Sequence, residues 1–271
     1  MKKHILKDKL IVLTGSSSGI GKELTKLLID DFGAKVLGVA RSREKLENLT
    51  NELANKQNFS YLIKDVSIKE TFSEIKNYLV NENLTPFMVI NCAGILPPFA
   101  KFSSEQLEWF EKTINTNFFS AVYSASELLP LLNQNEKKGY LINLSSSSAL
   151  CPFSGTSIYS ASKCACDRFT ASISAENKKV SVVSVMPGFT KTDIMRSQKV
   201  VDNKSLIDKF SSNPKKVAKT IIKKSLNGKK RIIIGVDAHF MNLLYKIFPN
   251  RAPKIITWFL KKSKMKLFEE I

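Results

Sequence analysis

The sequence predicts an α/β fold: a doubly wound parallel sheet of about seven strands with helices on both faces. Three observations predict it. Short apolar runs rich in β-branched residues recur at 10–14, 35–40, 87–91, 140–145, 180–185 and 231–235, with a weaker run at 59–63. Amphipathic stretches separate most of these runs, the alternation expected when helices cover both faces of a parallel sheet. A chain of 271 residues with 43% apolar side chains can bury one large core, and no composition shift marks a second domain.

The run at 10–14 leads into Thr14-Gly15-Ser16-Ser17-Ser18-Gly19-Ile20-Gly21, followed by a helix expected over 22–31. Glycines let a backbone turn sharply and approach a pyrophosphate, while a helix N-terminus offers unpaired N–H groups to its charge. Gly15, Ser17, Ser18, Gly19, Ile20 and Gly21 therefore read as the cradle of a Rossmann-type dinucleotide site. The second run ends at Ala40, where an NAD-specific site would carry a carboxylate against the ribose 2′-hydroxyl. Arg41, Ser42 and Arg43 follow instead, and a guanidinium grips a 2′-phosphate through paired hydrogen bonds, so NADP(H) is the expected cofactor. Further along, Ser103 with Gln106 forms a capping-box pattern before a helix expected to run to Pro130, and Asn213-Pro214 supplies an N-cap with proline in the first turn. Residues 188–213 are polar and weakly periodic, the character of a substrate lid.

Carbonyl reduction by hydride needs a proton donor at the oxygen, a second donor to polarise it, and a charge that makes the acid effective. Tyr159-Ser160-Ala161-Ser162-Lys163 puts a phenol and an ammonium four residues apart on one helix face, and a cation beside a phenol favours its ionised form. Thirteen residues before Tyr159, Ser146 follows the run at 140–145, at the carboxyl edge of the sheet where ligands of open α/β folds collect.

The loop spacing Gly-x-x-x-Gly-x-Gly together with these motifs resembles the short-chain dehydrogenase/reductase family over residues 6 to about 235. The resemblance implies Ser146, Tyr159 and Lys163 as catalytic residues. It adds Asn117, placed by its distance to Leu129-Pro130 and chosen over Asn115, as the residue that holds a water in the proton relay. It assigns Asp65-Val66 to the adenine, and Asn91, Ala93 and Gly94 to the adenine ribose, with Cys92 in place of the more usual asparagine. Pro187, Gly188, Phe189, Thr190 and Thr192 would close over the nicotinamide, whose ribose Lys163 and Tyr159 would meet. The expected reaction moves a hydride between NADP(H) and a small-molecule carbonyl or alcohol substrate. A homodimer or homotetramer is expected.

One NADP-binding catalytic domain is expected over residues 1–271, with a core at 6–235, the lid at 188–213 and an apolar, basic extension at 236–271. The extension pairs Trp258 and Phe259 with Lys254, Lys261, Lys262, Lys264 and Lys266, a composition open to capping the pocket, contacting a membrane surface or packing on a subunit. Leu96, Pro97, Phe99, Phe153, Phe189 and Met195 make the expected substrate side apolar and point to lipophilic substrates. With 42 basic against 24 acidic residues the net charge of +18 attracts anions of many kinds. No nucleic-acid motif is present, so a nucleic-acid partner is not expected. Four dispersed cysteines fit neither a zinc site nor a disulfide scaffold, so no metal is expected. No apolar run spans a bilayer and no signal-peptide stretch opens the chain, which reads as cytoplasmic with possible peripheral membrane contact. The competing reading is a non-catalytic NADP(H)-binding sensor or scaffold, which would not need Ser146, Tyr159, Lys163 and Asn117 together.

Overall fold

Each apolar run forms a strand, nearly all buried in the five inner strands and partly exposed in the two at the sheet's edges. A computed structural model describes residues 3–102, 107–192 and 211–262. The strands are β1 (Leu10–Thr14), β2 (Lys35–Ala40), β3 (Phe59–Ile63), β4 (Met88–Asn91), β5 (Tyr140–Leu144), β6 (Ser181–Pro187) and β7 (Arg231–Ile234). They form one parallel sheet in the order β3-β2-β1-β4-β5-β6-β7. Helices α1 (Gly19–Lys26), α2 (Arg43–Glu52) and α3 (Glu70–Asn81) connect the first four strands, and α1 runs on as a π turn, Leu27–Asp31. Helix α4 (Leu107–Ile114) passes through a second π turn, Asn115–Phe119, into α5 (Ser120–Leu132). After β5 come α6 (Ser157–Glu176), α7 (Pro214–Leu226), α8 (Val236–Ile247) and α9 (Ala252–Lys262).

Alternation along the strands builds two hydrophobic layers. Ile11 and Leu13 of β1 face the layer that contains Leu24, Leu28, Val217 and Ile221. Val12 faces the other layer, with Phe72, Ile75, Leu79 and Leu128. All of these are buried, and full burial of each such side chain contributes roughly 1.5–3 kcal/mol. The chain winds from β1 outward to β3 and then crosses back through α3 to β4. The crevice left where the winding reverses, at the carboxyl ends of β1 and β4, is where open α/β sheets hold their ligands.

Three boundaries differ from expectation. Helix α1 starts at Gly19 rather than at residue 22, with Ser18 at its N-cap and Gly19 itself at φ +51°. Strand β6 extends to Pro187, which sits opposite Ile234 at the strand's end, where a missing N–H is tolerated. Helix α5 continues past Pro130 to Leu132, and Asn135 Nδ2 then donates to the Leu132 carbonyl at 3.0 Å. Asn213 caps α7 as expected, its Oδ1 accepting from the Lys215 amide at 2.8 Å. The Ser103–Gln106 capping box, Met195 and most of the 188–213 lid lie outside the described residues.

Candidate active site

At the β1–β4 crevice the glycine loop and the loop after β4 press together. Gly15 has φ +68°, and a Cβ there would lie 2.8 Å from the Ala93 Cα, so both conformation and space require glycine. Its amide donates to the Val39 carbonyl at 2.8 Å. The Thr14 hydroxyl accepts from the amides of Cys92 and Ala93 at 3.2 and 3.3 Å, fixing the second loop against the first. A Cβ on Gly21 would collide with the Gly15 carbonyl, and one on Gly19 would sit 3.2 Å from Thr192. Ser18 takes the N-cap position of α1 without a side-chain cap bond, and the first turn carries no acidic residue. A glycine-lined approach to a helix N-terminus of this kind fits a pyrophosphate.

The crevice opens into a cavity of about 330 Å³. Gly15, Ser17, Ser18, Gly19, Ile20, Gly21, Arg41, Ser42, Asp65, Val66, Ala93 and Gly94 line it from the side of β1 to β4. Ser146, Tyr159, Lys163, Pro187, Gly188, Phe189, Thr190 and Thr192 line it from the other. Two predicted site residues, Asn91 and Asn117, do not reach the cavity.

Beyond β2, Arg41 Nη1 lies 3.5 Å from Asp65 Oδ2, with the arginine side chain 62% exposed. Burial raises the Asp65 carboxyl, but the Ser67 amide and hydroxyl, at 2.9 and 2.8 Å, together with Arg41 outweigh it and leave the group below its ordinary value. Ser42 Oγ accepts from the Lys45 amide at 3.3 Å and caps α2. Lys45 and Lys64 also line this end of the cavity. The sequence reading missed both, because a single lysine carries no motif. Arg43 is turned to Glu47, 3.8 Å away along α2, and is not part of the lining.

All four serines of the run line the cavity, and their hydrogen bonds differ. The Ser145 hydroxyl donates to the Lys163 carbonyl at 2.7 Å, while Ser147 and Ser148 are buried in a 3₁₀ turn. Ser146, half-buried, caps that turn by accepting from the Ser148 amide at 3.2 Å. Helix α6 brings Tyr159 and Lys163 to the same wall. Lys163 is 5% exposed and donates from Nζ to the Leu144 carbonyl at 2.9 Å. A Cβ on Gly94 would lie 3.2 Å from both Lys163 Nζ and Asn117 Oδ1, so glycine lets these two groups converge.

Asn117 sits in the π turn between α4 and α5 and clamps Ile95 on both sides. Its Oδ1 accepts from the Ile95 amide at 2.8 Å and its Nδ2 donates to the Ile95 carbonyl at 2.9 Å, with a third bond to Ser162 Oγ at 3.1 Å. It supports the wall rather than lining it, and its neighbour Thr116 reaches the cavity. Asn91 is directed along the sheet: its Nδ2 donates to Asn143 Oδ1 at 2.8 Å, and Asn143 Nδ2 donates to Thr170 Oγ1 at 2.9 Å. Cys92 lines the cavity, and burial pushes its thiol up to about 12 against the opposing effect of Lys163, so it stands there as a neutral group.

On the substrate side, Leu96, Phe99, Phe153 and Phe189 line the cavity, and Pro97 is buried next to Leu96 without joining the lining. Phe99 stacks on Phe153 with ring centroids 6.2 Å apart, and Phe153 meets Phe189 at 6.3 Å. This wall packs against Met241 of α8 and Ala252, Ile256 and Leu260 of α9. The inner face of the C-terminal extension therefore backs the pocket. Asp237, at the start of α8, accepts from the Phe189 amide at 2.6 Å through Oδ2, and a Cβ on Gly188 would collide with its carboxyl. Burial raises the Asp237 carboxyl above its ordinary value despite that bond. No sequence motif marks this residue, since its role arises only where β6 and β7 end side by side.

Residues 9–202 match the short chain dehydrogenase family. An uncharacterized oxidoreductase of Staphylococcus aureus is 31% identical over 220 residues, 80% of this chain and 91% of that protein. The (S)-benzoin-forming benzil reductase of Saccharomyces cerevisiae is 30% identical over 195 residues, 69% of this chain and 74% of the reductase. Among solved structures, the alcohol dehydrogenase of the archaeon Thermococcus sibiricus, complexed with 5-hydroxy-NADP, shares the fold with a TM-score of 0.74 at 22% identity, covering 84% of this chain and 97% of that one. With its parallel seven-stranded sheet, its glycine loop and these relatives, the chain belongs to the short chain dehydrogenase family of oxidoreductases.

Proposed function

We propose that the protein is an NADP(H)-dependent reductase or dehydrogenase acting on the carbonyl or secondary alcohol of a lipophilic small molecule. The observation that carries this reading is the convergence of Ser146, Tyr159 and Lys163 on one cavity that also contains the glycine cradle. When bound, NADP(H) supplies or accepts the hydride. Gly15, Ser17, Ser18, Gly19, Ile20 and Gly21 hold the pyrophosphate, and Asp65, Val66, Ala93 and Gly94 flank the adenosine end. Pro187, Gly188, Phe189, Thr190 and Thr192 face the nicotinamide end.

The preference for the 2′-phosphate rests on Arg41, Ser42, Lys45 and Lys64, all lining the end of the cavity beyond β2. Arg41 is largely exposed and leans on Asp65, so a more highly charged anion can draw its guanidinium away.

Ser146 Oγ donates a hydrogen bond to the substrate oxygen, and Tyr159 Oη delivers the proton there during reduction or removes it during oxidation. Lys163 Nζ, held by the Leu144 carbonyl, keeps a positive charge at that wall and offers its other protons to a ribose hydroxyl. Asn117 clamps the backbone at Ile95 and so fixes the loop facing Lys163. The aromatic wall of Phe99, Phe153 and Phe189 excludes water and favours an apolar substrate. The test is NADPH oxidation across ketones and aldehydes of graded chain length, with Tyr159→Phe as control. Turnover should collapse while NADPH affinity stays within about twofold, and near-native turnover in the variant would refute this assignment.

A further inference from the structure

Helix α8 carries two apolar faces where a helix lying on a protein surface needs one. Ala238 and Met241 are buried inward. On the other side, Val236, Phe240, Leu243 and Ile247 recur at spacings of four, three and four, which places them on a single stripe, and they are 84%, 46%, 57% and 56% exposed. Helix α9 repeats the pattern: Ala252, Ile256 and Leu260 pack inward, while Trp258 and Phe259 stand more than half exposed. The two outward faces are continuous. Phe240 meets Phe259 edge-on at 6.5 Å between ring centroids, and Phe259 meets Trp258 at 4.9 Å.

The charges around this patch have one sign. Lys246, Arg251, Lys254, Lys261 and Lys262 are all exposed, and Lys262 Nζ lies 4.8 Å over the Trp258 ring. Between residues 236 and 262 the only acidic residue is Asp237, which is bonded to the Phe189 amide. An isologous contact between two copies would bring these cations face to face, since the same patch meets itself. The surface therefore calls for a partner that is apolar and negatively charged at once. A bilayer containing anionic lipid has both properties: aromatic rings settle at the level of the headgroups and lysines reach for the phosphates.

We propose that the outer face of α8 and α9 docks the protein on an anionic membrane surface. Because the inner face of α9 backs the aromatic wall of the cavity, the docked protein holds its substrate side next to the lipid. Capping the pocket and docking use opposite faces of the same helix. Neither excludes the other.

The test uses the full chain with sucrose-loaded vesicles of phosphatidylcholine alone or mixed equally with phosphatidylglycerol. The protein should pellet with the mixed vesicles and stay in solution with the neutral ones. Phe240→Ser/Trp258→Ser/Phe259→Ser and, separately, Lys254→Gln/Lys261→Gln/Lys262→Gln should each weaken vesicle binding by about tenfold or more. In a Trp109→Phe background Trp258 is the sole tryptophan, and lipids brominated on the acyl chain should quench its emission. The lysine variant changes only exposed side chains, so it decides the matter should the apolar variant fold poorly. Vesicle binding that survives both triple substitutions, or that leaves Trp258 unquenched, would mean attraction by bulk charge alone and would overturn the proposal. So would an absence of pelleting accompanied by self-association that the apolar variant abolishes.

Discussion

Two glycines with left-handed backbone but different surroundings separate conformational strain from close packing. Gly15 has φ +68° and Gly228 φ +80°, so alanine at either forces a side-chain-bearing residue into the left-handed region at a cost of roughly 1–2 kcal/mol. At Gly228 nothing lies within 4 Å of the added Cβ, and the cost ends there. At Gly15 the Cβ would lie 2.8 Å from both the Ala93 Cα and the Ala93 nitrogen, backbone atoms that cannot swing aside. Overpacking of that kind adds about 1–3 kcal/mol, so Gly15→Ala should lose about 2–5 kcal/mol in all. For a chain of this size each kcal/mol shifts the melting midpoint by roughly 2–4 °C, and scanning calorimetry resolves the difference. NADPH titration provides the second reading: Gly15→Ala should weaken binding by pushing the two loops apart, while Gly228→Ala leaves affinity unchanged. Equal destabilisation by the two substitutions would refute the claim that the contact between the loops demands glycine.

Arg41→Ala should weaken NADPH binding by about 1.5–3 kcal/mol, or roughly 10–150-fold, with little effect on NADH, as read by fluorescence titration. Equal losses for both cofactors would refute the role given to Arg41. Burial holds the Asp237 carboxyl above its ordinary value of 3.8, so the folded state binds that proton more tightly than the unfolded one. Its contribution is therefore fully present below pH 3.8 and is lost as pH rises through the folded value. The stability of Asp237→Asn relative to the native chain should accordingly increase from pH 4 to pH 7, and a difference that does not change with pH would contradict this. Cys92 and Cys151, whose thiols burial pushes to about 12 and about 11, should resist iodoacetamide at pH 8 in the folded protein. Rapid labelling of Cys151, read by mass spectrometry, would show that its surroundings open to solvent, and rapid labelling of Cys92, which is half-buried on the cavity wall, would refute its raised thiol value.

The sheet was legible because strands buried on both faces leave continuous apolar runs, and the seven runs predicted are the seven strands observed. The ends were less legible. Pro187 lies beyond the apolar run at 180–185, yet at the last position of β6 its missing N–H leaves the strand intact. Neither π turn was anticipated, since each is a single turn that shifts the apolar pattern by one position only. Motif spacing located the cavity walls, but it could not separate residues that face the cavity from those that hold the wall. Asn91 and Asn117 stand within the motifs but bond to neighbouring elements instead of lining the cavity, because side-chain direction is fixed by neighbours remote in sequence. Lys45, Lys64 and Asp237 belong to no motif and reach the site only through the way the sheet edges meet.

The amide chain running from Asn91 through Asn143 to Thr170 bears on how the strands find their alignment. Parallel neighbours in this sheet are far apart in sequence, and a run such as Met88-Val89-Ile90 packs nearly as well against Leu141-Ile142 when displaced by a step or two along the strand. In the native register Asn91 sits directly opposite Asn143, and one donor meets one acceptor. Asn91 Oδ1 has no hydrogen-bond partner among the described residues even there, so a displaced pairing adds the loss of the Asn91–Asn143 bond, at roughly 1–3 kcal/mol for each polar group left without a partner. Apolar residues in β4 and β5 make the strands adhere without saying where. The two asparagines act as an alignment key, discriminating against slipped sheets during assembly, and Thr170 extends the same check to the seating of α6.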